Sequence, residues 1–177
     1  IRDWIEDLDQ NLEEGRGIWL MGDTGTGKTS LAMLVSKEVL SRGRTAAIYS
    51  LPKLLGRIRS TYDGEPGDES YADFFERLCE VDMLHLEDLG TEKRTEWVLE
   101  QLYALINERY ERGSILLTSN RAPEEWPDLF GNPLLASAGL DRLTHQAHVV
   151  VITGSSFRAH GPHSPSQEVP IEASAPP

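Results

Sequence analysis

Residues Gly22-Asp23-Thr24-Gly25-Thr26-Gly27-Lys28-Thr29 constrain this chain more than any other stretch. They fit the pattern G-x-x-x-x-G-K-[ST], and their surroundings fit the context that gives the pattern meaning. The apolar run Ile18 to Met21 reads as a buried strand before the loop. After it, Leu31, Leu34, Val35 and Val39 recur at helical spacing and are expected to share a core face. A glycine-rich turn between strand and helix can curl its backbone N–H groups around an anion, and the helix N-terminus adds partial positive charge. Gly22, Asp23, Thr24, Gly25, Thr26, Gly27, Lys28, Thr29 and Ser30 are therefore the expected nucleotide-binding residues. Lys28 is expected at the β- and γ-phosphates of ATP and the Thr29 hydroxyl at Mg²⁺.

Further strands and helices alternate around this loop. Residues 1–14 read as an acidic amphipathic helix, with Trp4, Ile5, Leu8 and Leu12 on one face. Strands are expected over Thr45 to Tyr49, Val81 to Leu89, Ile115 to Thr118 and Val149 to Thr153. Helices are expected over Leu51 to Ile58, Tyr71 to Leu78, Thr95 to Arg112, Pro123 to Leu129 and Leu140 to Gln146. Gly113 is the expected stop of the longest of them. The alternation predicts an α/β fold: a parallel sheet with helices on both faces and ligands at the carboxyl ends of the strands. From Ala159 on, Pro, Ser and His dominate, and 159–177 reads as a disordered tail.

A triphosphatase needs a carboxylate for the metal and a second group to orient water. Leu84-His85-Leu86-Glu87-Asp88 supplies both at a strand end, with Glu87 in the metal position and Asp88 in the water position. His85 interrupts the apolar run and reads as a strand histidine with its N–H satisfied, not as a ligand. Thr118-Ser119-Asn120 ends the next strand, where a neutral amide can hold water or touch a γ-phosphate; an Asn capping a turn is the plain alternative. Arg142 and Arg158 come late in the chain, each able to act as a phosphate-reaching guanidinium or as an ordinary surface arginine.

Composition narrows the classes. With 177 residues the chain suits one domain, and no apolar run approaches the roughly 18 residues of a membrane helix. A single cysteine, Cys79, excludes an internal disulfide. Lys and Arg number 17 against 29 Asp and Glu, a net charge of -12 that excludes a basic nucleic-acid coat protein. Yet no acid lies between Glu38 and Asp63, a stretch holding Arg42, Arg44, Lys53, Arg57 and Arg59. Lys53, Arg57 and Arg59 are the candidate DNA-binding residues, with Tyr62 beside them as a packed ring or a base-stacking one. The chain starts at Ile1 with no signal segment, so a cytoplasmic protein whose sequence begins inside a longer chain is expected.

These segments together resemble the AAA+ ATPases of the DnaC-like helicase-loader and IstB-like transposition-helper group. The resemblance is carried by the phosphate loop, Leu86-Glu87-Asp88-Leu89-Gly90, Trp97 to Tyr110, Leu117-Thr118-Ser119-Asn120, Leu140-Asp141-Arg142-Leu143 and Gly154 to Arg158. It covers residues 15–158, the expected ATPase domain. It implies a P-loop NTPase of AAA+ type with a five-stranded parallel sheet, a central strand order of 5-1-4-3-2 and no full helical lid. Glu87 and Asp88 match the Walker B acids, Asn120 the sensor 1 residue, and Arg142 an arginine finger acting across a subunit interface. Arg158 lies where the group often keeps an arginine. The implied function is an oligomeric ATPase in DNA replication, a helicase loader bound to single-stranded DNA. A transposition helper with a transposase partner is the alternative. The Glu-Asp order departs from the commoner Asp-Asp, which implies slow hydrolysis. A small-molecule kinase and a nucleotide-gated module with little turnover also remain open at this level.

Overall fold

The computed structural model describes residues 1–63, 65, 67–89, 95–122, 125, 133–145 and 147–157. The expected tail at 159–177 and Arg158 lie outside the described residues, and so does nearly all of the helix expected at 123–129. No described helix is long and apolar enough to cross a membrane.

Five strands form one parallel sheet: β1 (Gly17–Gly22), β2 (Ala46–Ser50), β3 (Met83–Leu89), β4 (Ser114–Ser119) and β5 (Ala147–Ile152). Their order is β2-β3-β4-β1-β5, as the family resemblance implies. Side chains alternate across a strand, and β1 shows what that does here. Ile18 and Leu20 enter one buried cluster, with Trp4, Leu8, Leu12, Ala32, Val35 and Val39. Trp19 and Met21 enter the other, with Leu54, Phe74, Leu86, Leu99, Leu102 and Leu117. A strand buried on both faces reads as an unbroken apolar run, which is why Ile18 to Met21 stands out in the sequence.

One cluster is roofed by α1 (Arg2–Glu6), α2 (Leu8–Glu13) and α3 (Lys28–Ser41). The other lies under α4 (Leu51–Ser60), α5 (Tyr71–Glu80), α6 (Glu96–Arg109) and α7 (Pro133–His145). Three details correct the expectations. The acidic helix is broken at Asp7, whose ψ of 25° lies outside the helical range. On α3 the buried residues are Lys28, Ala32, Val35, Ser36 and Val39, so Leu34 lies off the core face and is 61% exposed. The last helix begins at Pro133, well before Leu140. Proline suits a first helical turn, and Ala136, Gly139 and Leu143 are its buried positions.

Arg109 ties several elements together. Its side chain is fully buried and donates only to carbonyls. Nη1 reaches Leu78 O at 2.8 Å and Cys79 O at 3.1 Å, satisfying the carboxyl end of α5. Nη2 reaches Val81 O at 2.9 Å, Asp82 O at 3.3 Å and Ser114 O at 2.8 Å, where β3 and β4 begin. Burial lowers the guanidinium pKa to about 10, so it stays charged at neutral pH. Gly113 is not the helix stop. The helix ends at Arg109, Glu111 takes the left-handed φ of 59°, and a Cβ at Gly113 would sit 2.5 Å from Arg109 Nη2. Space for the guanidinium is what the glycine supplies.

Arg109→Met should lower unfolding free energy by on the order of 3 kcal/mol, because buried carbonyls lose a charged donor. Urea denaturation measures this, and an unchanged midpoint would show that the five bonds contribute nothing net.

Candidate functional site: the phosphate loop and its neighbours

The loop leaves β1 and enters α3 at Lys28. Gly27 caps that helix at a φ of 94°, a left-handed conformation that costs glycine little. Lys28 is buried, and its Nζ donates to the Gly22 and Asp23 carbonyls at 2.8 and 2.7 Å. Thr26 Oγ1 donates to Asp23 O at 2.8 Å, tightening the turn from inside. A second segment holds the loop from outside. The Phe157 N–H donates to Gly25 O at 3.0 Å, and any Cβ at Gly25 would overlap the Ser156 side chain. The loop borders an open cleft of about 600 Å³ lined by Thr24, Gly25, Gly27, Lys28, Thr29, Ser30, Asp88, Asn120 and Phe157.

Glu87 ends the buried part of β3 and hydrogen-bonds through its carboxylate with the Thr29 side chain. Burial and then repulsion from Asp88 raise its pKa, opposed by the Thr29 bond. Its Oε1 is buried without a hydrogen-bond partner, 3.7 Å from His85 Nε2. Two hard oxygen donors thus meet at the mouth of the loop, one with an unsatisfied buried atom. That donor set fits Mg²⁺. His85 is fully buried, with Nδ1 2.9 Å from Ser36 Oγ and Nε2 unpaired. In the tautomer protonated on Nδ1 the ring's single N–H is satisfied by Ser36 Oγ, and Nε2 is an acceptor without a donor. Burial lowers its pKa to about 4, so the ring is neutral at ordinary pH. Among the described residues, no group of His, Cys, Asp and Glu could hold a metal ion by itself.

Asp88 breaks from the strand. The β3–β4 register is irregular between Leu86 and Leu89, and Asp88 adopts a φ of 58°. Thr118 Oγ1 accepts its backbone N–H at 3.1 Å and holds that turn. The irregularity leaves Asp88 exposed on the cleft rather than in the sheet. Beside it, buried Ser119 donates to Leu89 O and accepts from Arg121 N, so the end of β4 is fixed where Asn120 faces the cleft.

The remaining candidates fall elsewhere. Arg142 does not line the cleft: its guanidinium lies over the Tyr103 and Tyr110 rings, 5.3 and 5.9 Å from their centroids, and Nη1 donates to Ala138 O. Of the basic strip, Arg57 pairs with Glu69 at 2.9 Å, and Arg59 lies 4.6 Å from the Trp97 ring centroid. Lys53 is exposed and has no ion-pair partner among the described residues. Arg42 and Arg44 are ion-paired with Asp9, and Arg44 also with Glu13 and Asp82. Tyr62 stacks on Tyr71, 5.4 Å between centroids. Sequence reasoning misses Ser36, and it places Thr118, Ser156 and Phe157 within motif segments without giving them a role. Residues 154–158 carry a family signal, but that signal points only to Arg158.

Sheet order, loop and paired acids define a P-loop nucleotide-binding domain with a parallel α/β sheet. The chain belongs to the IstB-like ATP binding protein family, whose model matches residues 4–164. It is 32% identical over 148 residues to a putative ATP-binding protein in an insertion sequence of Mycobacterium tuberculosis, covering 83% of this chain and 57% of that protein. It is also 32% identical over 156 residues to a putative insertion sequence ATP-binding protein of Sinorhizobium fredii, covering 88% and 59% respectively. The chain thus spans less than three fifths of the length of these relatives. In fold it is similar to the crystal structure of the DnaC helicase loader, with a TM-score of 0.71, 23% identity, and coverage of 86% of this chain and 85% of that one.

Thr118→Val keeps the shape of the side chain and removes the acceptor of the Asp88 amide. It should cost about 1 kcal/mol in urea denaturation. An unchanged midpoint would mean that the Asp88 turn holds without the hydroxyl.

Proposed function

We propose that this chain is the ATP-hydrolysing domain of an insertion-sequence helper, which uses nucleotide-dependent assembly on DNA to act with a transposase. The observation that carries the hydrolytic part is the unpaired, buried Glu87 Oε1 beside Thr29, with Asp88 and Asn120 across the same cleft. The loop N–H groups and Lys28 bind the phosphates; Lys28 swings from the Gly22 and Asp23 carbonyls to do so. Thr29 and Glu87 would hold Mg²⁺, which would supply charge neutralisation on the phosphate oxygens. Asp88 orients the attacking water, and Asn120 fixes that water or the terminal phosphate.

Within one chain no arginine lines the cleft among the described residues. Arg142 is assigned the role of stabilising developing charge in a neighbouring subunit's site, which makes activity dependent on a homo-oligomer. Arg158, next after the segment latched onto Gly25, is the second candidate for phosphate contact. The insertion-sequence relatives favour a transposase over a replicative helicase as partner. The helicase-loader role expected from the sequence rests on likeness of fold alone. For DNA, Lys53 and Arg59 are the leading contacts; Arg57 has to leave Glu69 to join them.

Lys28→Ala should abolish ATP binding, while Arg142→Ala should bind ATP normally and lose turnover. Mixing the two variants tests the trans assignment. Each is inactive alone, and a mixture regains part of the wild-type rate, because an intact Lys28 site then meets an intact Arg142. A mixture as inactive as its parts, or an Arg142→Ala protein that turns over normally, would remove the finger role.

A further inference from the structure

The phosphate-loop cleft has two unlike ends. Asp88 and Asn120, at the ends of β3 and β4, line one side of the loop with polar groups. On the other side of β1 lies β5, and the segment after β5 brings Phe157 to the same cleft. Phe157 is 76% exposed, so the ring is open to a ligand in the cleft it lines. Its backbone is nevertheless fixed, since its N–H donates to Gly25 O at 3.0 Å and Ser156 packs against Gly25. The ring is therefore an exposed aromatic surface anchored to the phosphate loop itself.

A nucleoside triphosphate has the matching polarity, with its charge at the γ end and an aromatic ring system at the other. Its γ end belongs with Glu87, Asp88 and Asn120, which places the base on the β5 side. We infer that Phe157 stacks on the nucleobase of the bound nucleotide, so that the latch between the β5 segment and Gly25 couples the base subsite to the phosphate subsite. This rests on the nucleotide reading of the cleft given above. Stacking on an aromatic face tolerates any base, so Phe157 supplies affinity, not discrimination by hydrogen bonds.

Calorimetric titration with Mg·ATP and with Mg·tripolyphosphate separates the two subsites. Phe157→Ala should weaken ATP by on the order of tenfold, the scale of one lost base–aromatic stack, and leave tripolyphosphate unchanged. Phe157→Trp should hold ATP within about threefold of the wild type, since a larger ring stacks as well. Equal weakening of both ligands by Phe157→Ala would overturn the inference and leave only a role in holding the loop. Unchanged ATP affinity would overturn it outright. A wild-type protein that bound neither ligand, or a Lys28→Ala variant that lost neither, would instead remove the nucleotide reading on which the inference stands.

Discussion

The ladder that seats β1 between β4 and β5 is the constraint on which the rest of this molecule depends. β1 pairs with β4 from Ile18 to Met21 and with β5 from Gly17 to Gly22, all in parallel. Parallel pairing puts the carboxyl ends of neighbouring strands side by side. The loop after β1 is thereby flanked by Asn120, just beyond β4, and by Ser156 and Phe157, beyond β5. β3 adds Glu87 and Asp88 one strand further out. Each element contributes little alone; the shared edge turns them into a site with a polar end and an aromatic end.

Buried polar groups keep that edge in place, and most of them serve the backbone. Arg109 fixes the starts of β3 and β4 through carbonyls, far along the strands from the cleft. Ser36 reaches His85 across the interface between α3 and β3, and Thr118 props the turn at Asp88. Ser119 does the same for the end of β4. Such groups are costly to bury unless satisfied, so their partners narrow the geometry more than apolar packing does. Among the buried atoms left without a partner are His85 Nε2 and Glu87 Oε1, which face each other at 3.7 Å beside the proposed metal position.

Periodicity makes the sheet legible. The unbroken run at Ile18 to Met21 marks the strand that feeds the loop, and the acids closing β3 mark Glu87; the strand order comes from the family resemblance, and it matches the one observed. Periodicity does not show spatial compensation of charge. The acid-free interval from Arg42 to Arg59 is flanked in space by Asp9, Glu13, Asp82 and Glu69, which come from distant parts of the chain. Nor does it show why single residues are needed. Gly113 looks like a helix stop, yet its task is to leave room for Arg109. Leu34 fits a helical stripe, but α3 buries the stripe containing Ser36. The left-handed turn at Asp88 depends on Thr118, 30 positions away, and has no local signature.

On the proposed function, this cleft is half of an active site whose other half comes from a neighbour. The direct test is specific ATPase activity against protein concentration, with and without DNA. Activity per chain that rises with concentration, and shifts further when DNA is added, is the predicted result. A rate per chain that stays flat and ignores DNA would mean a self-contained site and would contradict sharing between subunits.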